Sequence, residues 1–509
     1  MPKMSLLIAS LLSLSVFVGA QCGGNGGNGH LSSSPMALGT TVNLMMSGAA
    51  GQPCMLFVAA GPGPVQVAGF GTICLDVNSM QQLVSAAIPG GGTLTLPVAV
   101  PNDLALLSLI AFLQGIVADP AAPLGFALTE ALRVQFGAPD SYNATPSMSS
   151  ARAGGAGAAL LDGRVLLTGG GGGTLTSPSG NASTEFFDAV NRNFVAGPTM
   201  AAARGMHTAT RLNDGRVLIV GGVSTGSVTL ASCEIFDPAT GAITPTGSLA
   251  GPRAGHNAVL LGNGRVLVAG GTSNFIIPVG GTIGAVLNAS LTTGEVYNPA
   301  TNLWSPAGNA MASKRFGCAG VRLNDGRALI TSGISGTTVF FGLETINFTA
   351  TTSYFDPATN LFSAGPSIGT GRALHSAATL PDGRVYVAGG ALAALIPAVS
   401  NTTRVLSGGV FGAGPTLALA CAMPTLVLQG NGALHIAGGI SGDLVTQTFG
   451  AVAAVARYLG TVATPLSALP MAMGGQFGFR LLDGSLLYCG GSDAAGTATL
   501  ASFIYTPSP

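Results

Sequence analysis

This chain is poor in charge. Asp, Glu, Lys and Arg make up 7% of its 509 residues, and the two signs balance at 19 each, where an ordinary soluble protein carries about 25% charged residues. No net field draws such a chain to nucleic acid or to an anionic membrane. Tryptophan occurs once and histidine five times. HExxH and EF-hand motifs are missing, and so is a Ser-x-Asp-x-Gly-x-Thr-Trp box. Gly169 to Gly173 are five consecutive glycines, but no Gly-Lys-Ser/Thr follows them, so they read as a loop and not a phosphate cradle. The cysteines show no CxxC pair and no zinc-type spacing with histidine. What the chain has instead is 47% hydrophobic residues broken by 78 glycines and 30 prolines. That composition excludes disorder and predicts an all-β fold of short strands between tight turns.

The N-terminus predicts export. Lys3 precedes an uncharged apolar run over residues 5–18, and Val18, Gly19 and Ala20 place small residues before a cleavage point. Residues 1–20 therefore read as a signal peptide, too short for a membrane span. Lipid anchoring at Cys22 is disfavoured, because Gln21 stands where a small residue belongs. Residues 21–36 read as a flexible Gly/Asn/Ser linker with a solvated His30. The expected product is secreted or displayed at the cell surface, with no membrane span after signal removal. Seven cysteines leave at least one unpaired. Cys54 and Cys74 are the one disulfide candidate. Cys233, Cys318, Cys421 and Cys489 read as buried free thiols.

A repeat dominates the rest. Asp-Gly or Asn-Gly recurs at Asp162-Gly163, Asp214-Gly215, Asn263-Gly264, Asp325-Gly326 and Asp382-Gly383, with weaker copies at Asn431-Gly432 and Asp483-Gly484. Between apolar runs this dipeptide predicts a hairpin, with a type I′ turn expected. Each run then ends in a glycine pair such as Gly169-Gly170 or Gly221-Gly222, with Ser332-Gly333 in the fourth copy. Runs such as Val217-Leu218-Ile219-Val220 are apolar on both faces, as a strand covered from both sides must be. Phe187-Asp188, Phe236-Asp237-Pro238, Tyr297-Asn298-Pro299 and Phe355-Asp356-Pro357 come next, each followed seven residues after the aromatic by Phe194, Ile243, Trp304 or Phe362. Arg152, Arg204, Arg253, Arg315 and Arg372 each precede a strong turn by ten residues.

These landmarks resemble the kelch repeat: an Arg, a strand often opening with His, a hairpin, a Gly-Gly end, an aromatic-Asp-Pro strand and a Trp strand. The resemblance implies four antiparallel strands per blade around a channel. Seven units predict a seven-bladed kelch-type β-propeller over residues 138–509. The last unit stops at Tyr505, where its outer strand should begin, while Tyr142 stands ten residues before Arg152, the offset of Phe194 from Arg204. The strand at 141–145 is therefore expected to close blade 7. Residues 37–137 lack the repeat and read as a small β-sandwich domain, with strands favoured over a helix at 104–117.

Chemistry is harder to find. His207, His256 and His375 share one repeat position, three after an arginine, and His435 sits in an apolar strand, so all four read as structural. The fold also resembles galactose oxidase, which implies a copper-radical oxidase as the alternative function. That family holds copper with two Tyr and two His, one His from a further C-terminal domain. Here Tyr458, Tyr488 and Tyr505 are present, but no Tyr-His pair is. The favoured reading is a non-enzymatic binding protein with no cofactor and no metal. Its partner is expected to be a protein or an extracellular polysaccharide, not nucleic acid. The expected binding face carries Arg152, Arg204, Arg253, Arg315 and Arg372, together with Phe275, Phe340 and Phe341 from two long apolar loops. Two roles stay open for the arginines: a positive ring at the channel mouth, or hydrogen bonds that hold the blades. The loops, likewise, either form an exposed patch or pack on each other or on the N-terminal domain. The Asp-Gly-Arg arginines (Arg164, Arg216, Arg265, Arg327, Arg384) are expected on the opposite face, as solubilising turn residues.

Overall fold

Seven runs of four residues, from Val165–Thr168 to Leu486–Cys489, are buried at every position. In the computed structural model each is the second strand of a four-stranded antiparallel sheet. The structure describes residues 30–33, 41–60, 62–67, 71–75, 79–99, 110–120, 122, 125–129, 131–135, 140–171, 173–174, 177–178, 180–276, 282–340, 343–392, 398–443, 448–460 and 462–507. The first strands of the seven sheets, beginning with Ala156–Ala159, Thr208–Arg211 and Asn257–Leu260, touch their neighbours in an unbroken cycle that returns from Phe477–Arg480 to Ala156–Ala159. The sheets are blades, numbered 1 to 7 here in chain order of their first strands. Adjacent blades share cores: Leu218, Val220 and Ile235 of blade 2 pack with Val266, Val268 and Tyr297 of blade 3. That sharing is why the second strands are apolar on both faces.

The hairpins form where expected, but with another turn. In blade 1, Leu160 N–H donates to Arg164 O and Gly163 N–H to Leu160 O. Gly163 has φ +84°, while Asp162 is not among the residues of positive φ. This is a three-residue loop ending in a left-handed glycine, and the Asp162 carboxylate caps Arg164 N–H at 3.0 Å. The type I′ expectation is thus corrected: only the glycine needs the left-handed region. At the other end of the strand Gly170, φ +72°, passes so near Gly155 N and Ala153 O that a Cβ would stand 2.8 and 2.9 Å from them. The third and fourth strands carry cross-strand aromatic pairs, Phe187–Phe194, Tyr297–Trp304 and Phe355–Phe362, with centroids 5.0–5.1 Å apart.

Blade 7 takes its fourth strand from the other end of the chain. Ser141–Ala144 pairs with Ser502–Thr506, and Tyr142 faces Tyr505. Their rings lie 4.9 Å apart, so the seam reproduces the aromatic pair of the other blades. Tyr505 Oη donates to the Asp140 carboxylate at 2.6 Å.

Before the ring, His30–Ser33, Thr41–Ser47 and Thr93–Ala99 form one sheet. Pro53–Ala59, Gln81–Ala87, Ile110–Ala118, Phe126–Leu128 and Leu132–Gln135 form another. Leu31, Val42, Leu44 and Met46 of the first meet Cys54, Leu56, Leu113 and Val134 of the second in one core. Ile110–Ala118 is a strand, as favoured over a helix. These sheets lean on the Asp-Gly end of the ring: Ser33 N–H donates to Leu482 O at 2.8 Å, and Val190 packs with Phe57 and Phe112. The disulfide expectation is corrected, because Cys54 is a free thiol sealed in that core. Cys233, Cys318, Cys421 and Cys489 are free and buried as well. Residues 1–20, Cys22, the Cys74 side chain and most of the 21–36 stretch lie outside the described residues. No described helix is long and apolar enough to cross a membrane.

Candidate functional site at the loop end of the ring

The five repeat arginines are not at the surface. Arg152, Arg204, Arg315 and Arg372 are 0% exposed and Arg253 is 2% exposed. Arg152 Nη1 donates to Gly169 O and Ser183 O at 2.7 and 2.9 Å, and Nη2 to Ser183 Oγ and Glu185. Arg204 repeats this with Gly221 O, Ser232 O, Ser232 Oγ and Glu234, and Arg253 with Gly270 O, Thr293 and Glu295. The free oxygen of each Glu accepts the backbone N–H three residues before the arginine: Ser149 at 2.7 Å, Ala201 at 2.7 Å and Ala250 at 2.8 Å. Each arginine thus ties its loop to the strand ends of its own blade. The positive ring at the channel mouth is corrected: all five guanidinia are sealed from solvent, Arg152, Arg204 and Arg253 against buried carboxylates and Arg315 and Arg372 against carbonyl and hydroxyl oxygens, so none is presented to a ligand.

Phe275 is corrected too. It is 2% exposed and packs with Val223, Val286, Leu287, Phe316 and Ile334, so the long loops pack on each other over the ring. Phe341 and the Phe340 side chain lie outside the described residues. Among the described residues the large apolar side chains exposed at this end include Val339 at 69%, Val228 at 50%, Ile276 at 49%, Leu419 at 43% and Leu500 at 41%.

Sequence reading missed a second ring. The residue two after each arginine position lies in the left-handed region in all seven blades: Gly154, Met206, Gly255, Gly317, Leu374, Met423 and Gly475, with φ from +53° to +62°. Their backbones are linked blade to blade. Met206 N–H donates to Gly154 O, Gly255 to Met206, Gly317 to Gly255, Leu374 to Gly317 and Met423 to Leu374, at 2.6–3.4 Å. Three of the seven are not glycine, and each costs about 1 kcal/mol of strain. The repeated Arg-x-Gly of blades 1, 3 and 4 was the available signal. Met206, Leu374 and Met423, all half-buried, bring apolar side chains to the ring that these residues form.

The histidines are structural. Nε2 of His207, His256 and His375 meets Thr168, Thr208 and Thr331 of the preceding blade at 2.8, 3.0 and 2.8 Å. Burial first, and the nearby arginines second, pull all three down to about 3. His435 accepts or donates at Nδ1 with Tyr488 Oη at 2.5 Å, so a Tyr–His pair exists in space though not in sequence. Both residues are 0% exposed between blades 6 and 7, and Tyr488 Oη and His435 Nδ1 are taken up by each other, which leaves His435 Nε2 buried without a partner. Among the described residues no group of three His, Cys, Asp or Glu stands close enough to hold a metal. The string Gly222-Val223-Ser224-Thr225-Gly226 has the GxSxG spelling of a nucleophile elbow. It forms a loop with one short turn, Thr225–Ser227, and no following helix.

The Asp-Gly-Arg arginines do more than solubilise. Arg164, Arg216, Arg327 and Arg384 pair with the aspartate two residues before them. Arg164 and Arg327 also lie over the rings of Phe186 and Tyr354, at 4.5 and 4.8 Å.

A Kelch motif family model matches residues 252–311. No curated protein matches the sequence. Among solved structures the chain is similar to that of YjhT, at 17% identity and a TM-score of 0.47, covering 64% of this chain and 99% of that one. It is also similar to a novel fungal alcohol oxidase with catalytic diversity among the AA5 family, in complex with copper. That match has 13% identity and a TM-score of 0.56, and covers 72% of this chain and 76% of the oxidase. At such identity the likeness to the oxidase speaks for the fold alone.

Proposed function

We propose that this kelch-motif propeller protein is an exported, non-enzymatic binding protein that engages a protein partner at the loop end of its ring. Its architecture is read as a seven-bladed kelch-type propeller preceded by a small β-sandwich. The carrying observation is the contrast at the loop end: Val339, Val228 and Ile276 are exposed while all five arginines are sealed. An acidic polymer finds no free cation among those arginines. Among the described side chains at this end no aromatic ring is exposed for a sugar to stack on. Exposed aliphatic tips at the same end of the ring as the half-buried Met206, Leu374 and Met423 suit an apolar protein surface, and thioethers adapt to irregular contacts. The export reading rests on residues 1–20 of the sequence.

The test pairs a pull-down from the native envelope with a glycan array. Wild-type protein is expected to retain a discrete partner, and a Val339→Asp/Ile276→Asp variant to bind it at least about tenfold more weakly. Saturable glycan binding that survives in the variant would favour the polysaccharide reading instead.

A further inference from the structure

Blade 5 breaks the arginine network in one way that the other blades do not. In blades 1 to 3 the residue facing the arginine is Glu185, Glu234 or Glu295. Blade 4 has Ser353, which takes Arg315 Nη2 at 3.2 Å. Blade 5 has Arg404 at this place, one residue after Thr403, which begins the third strand Thr403–Ser407. A second cation thus stands where the repeat puts an anion.

The donors around this place are left over. Arg372 is 0% exposed. Its Nη1 serves Gly389 O and Thr402 O, at 3.0 and 3.2 Å, and its Nη2 serves Thr402 Oγ1 at 3.2 Å. Its Nε is buried with no partner, as are those of Arg253 and Arg315, whereas Nε of Arg152 and of Arg204 donates to the carboxylate at 3.1 Å. Arg404 Nε is likewise buried and unpartnered. The Arg404 guanidinium lies over Gly369, where a Cβ would stand 3.6 Å from its Nη2. Gly369 is three residues before Arg372, the position whose N–H holds the carboxylate in blades 1 to 3. Among the described side chains no carboxylate pairs with Arg372 or Arg404. Burial first, and the charge of Arg404 second, draw Arg372 down to about 10.

We propose that blade 5 binds one small inorganic anion of the halide class, chloride in the native setting, between Arg372 and Arg404, in the place held by a glutamate carboxylate in blades 1 to 3. Two like charges with idle N–H donors form a receptor whose missing component is a single negative charge. Arg404 enters from the strand position of that glutamate and its side chain is longer, so an anion here shares the place with the Arg404 stem, which favours a monatomic ion over a bulky oxyanion. This site is independent of the binding face proposed above.

The test follows melting of the full-length protein in chloride, bromide or gluconate at equal ionic strength. Wild type is expected to melt several degrees higher in chloride or bromide than in gluconate. Arg404→Glu restores the carboxylate of the repeat; it should melt higher than wild type in gluconate and lose the halide response. Arg404→Gln should weaken the halide midpoint at least tenfold, and Ser353→Glu in blade 4 should leave it unchanged. In crystals grown in bromide an anomalous peak is expected between Arg372 and Arg404. Equal melting of wild type in all three salts, a halide response retained by Arg404→Glu, or no peak at that place would overturn the proposal.

Discussion

Acidification from pH 7 to pH 5 should destabilise this protein through its histidines. His207, His256 and His375 are each 5–6% exposed, have Nε2 on a threonine hydroxyl, and leave Nδ1 buried with no partner. Their folded values lie at about 3, below the unfolded value of about 6.5. Between those two values the unfolded chain binds the extra protons. Stability is therefore full above pH 6.5 and is lost as pH falls from 6.5 towards 3. At pH 5 the loss is about 2 kcal/mol for each histidine, from about 1.4 kcal/mol per pH unit over about 1.5 units. Blade 7 offers the control, because Gln476 stands at the same repeat position and donates to Ala437 O at 2.8 Å. A His207→Gln/His256→Gln/His375→Gln variant should keep about 6 kcal/mol more of its pH 7 stability at pH 5 than wild type does. Urea unfolding at both pH values measures it, and carboxylate contributions cancel between the two proteins. An equal acid loss in wild type and variant would refute the assignment of neutral, buried histidines.

Glu234→Gln should cost about 3 kcal/mol in urea unfolding, because it leaves the Arg204 guanidinium buried opposite a neutral group; a cost below about 1 kcal/mol would show that backbone carbonyls alone satisfy Arg204. Deleting residues 139–146 removes the fourth strand of blade 7 and uncovers Tyr505, so the melting temperature should fall by several degrees; an unchanged melt would refute closure through that strand.

Much of the ring was legible because its repeat encodes backbone demands. An Asp-Gly between apolar runs, a Gly-Gly with no room for a Cβ, and an aromatic at a fixed offset each reflect local geometry. That is also why the offset of Tyr142 from Arg152 located the seam. The arginines were misplaced for a different reason. A loop position reveals which end of a blade a side chain starts from, but not whether the chain turns out to solvent or in between strands. What decides it is the partner. Glu185, Glu234 and Glu295 each stand three residues before Asp188, Asp237 or Asn298, and they make up three of only 19 acidic residues in the chain. A recurring acid in so uncharged a sequence was a readable counter-ion. Phe275 was misplaced because hydrophobicity gives the same signal for a patch that awaits a partner and for loops that cover each other.

The late blades look degraded in sequence yet keep the same geometry, and the hydrogen bonds explain why. Gly170 N–H donates to Arg204 O of the next blade at 2.8 Å; in the same way Gly390 donates to Cys421 O and Gly439 to Met473 O, both at 2.9 Å. The link between blades is a backbone bond, so it survives whatever side chain follows. The arginine side chain, by contrast, is satisfied inside its own blade and can be lost locally. Cys421 and Met473 replace it in blades 6 and 7, 4% and 0% exposed, and Ala456 and Phe503 stand in place of the glutamate. Exchanging a whole buried ion pair for apolar groups is often neutral or stabilising, whereas removing one partner is costly. Blades 6 and 7 made the full exchange. Blade 4 kept the cation and placed a hydroxyl opposite it. Blade 5 kept the cation and gained a second, which leaves a charge deficit in that blade for an ion from solution to fill.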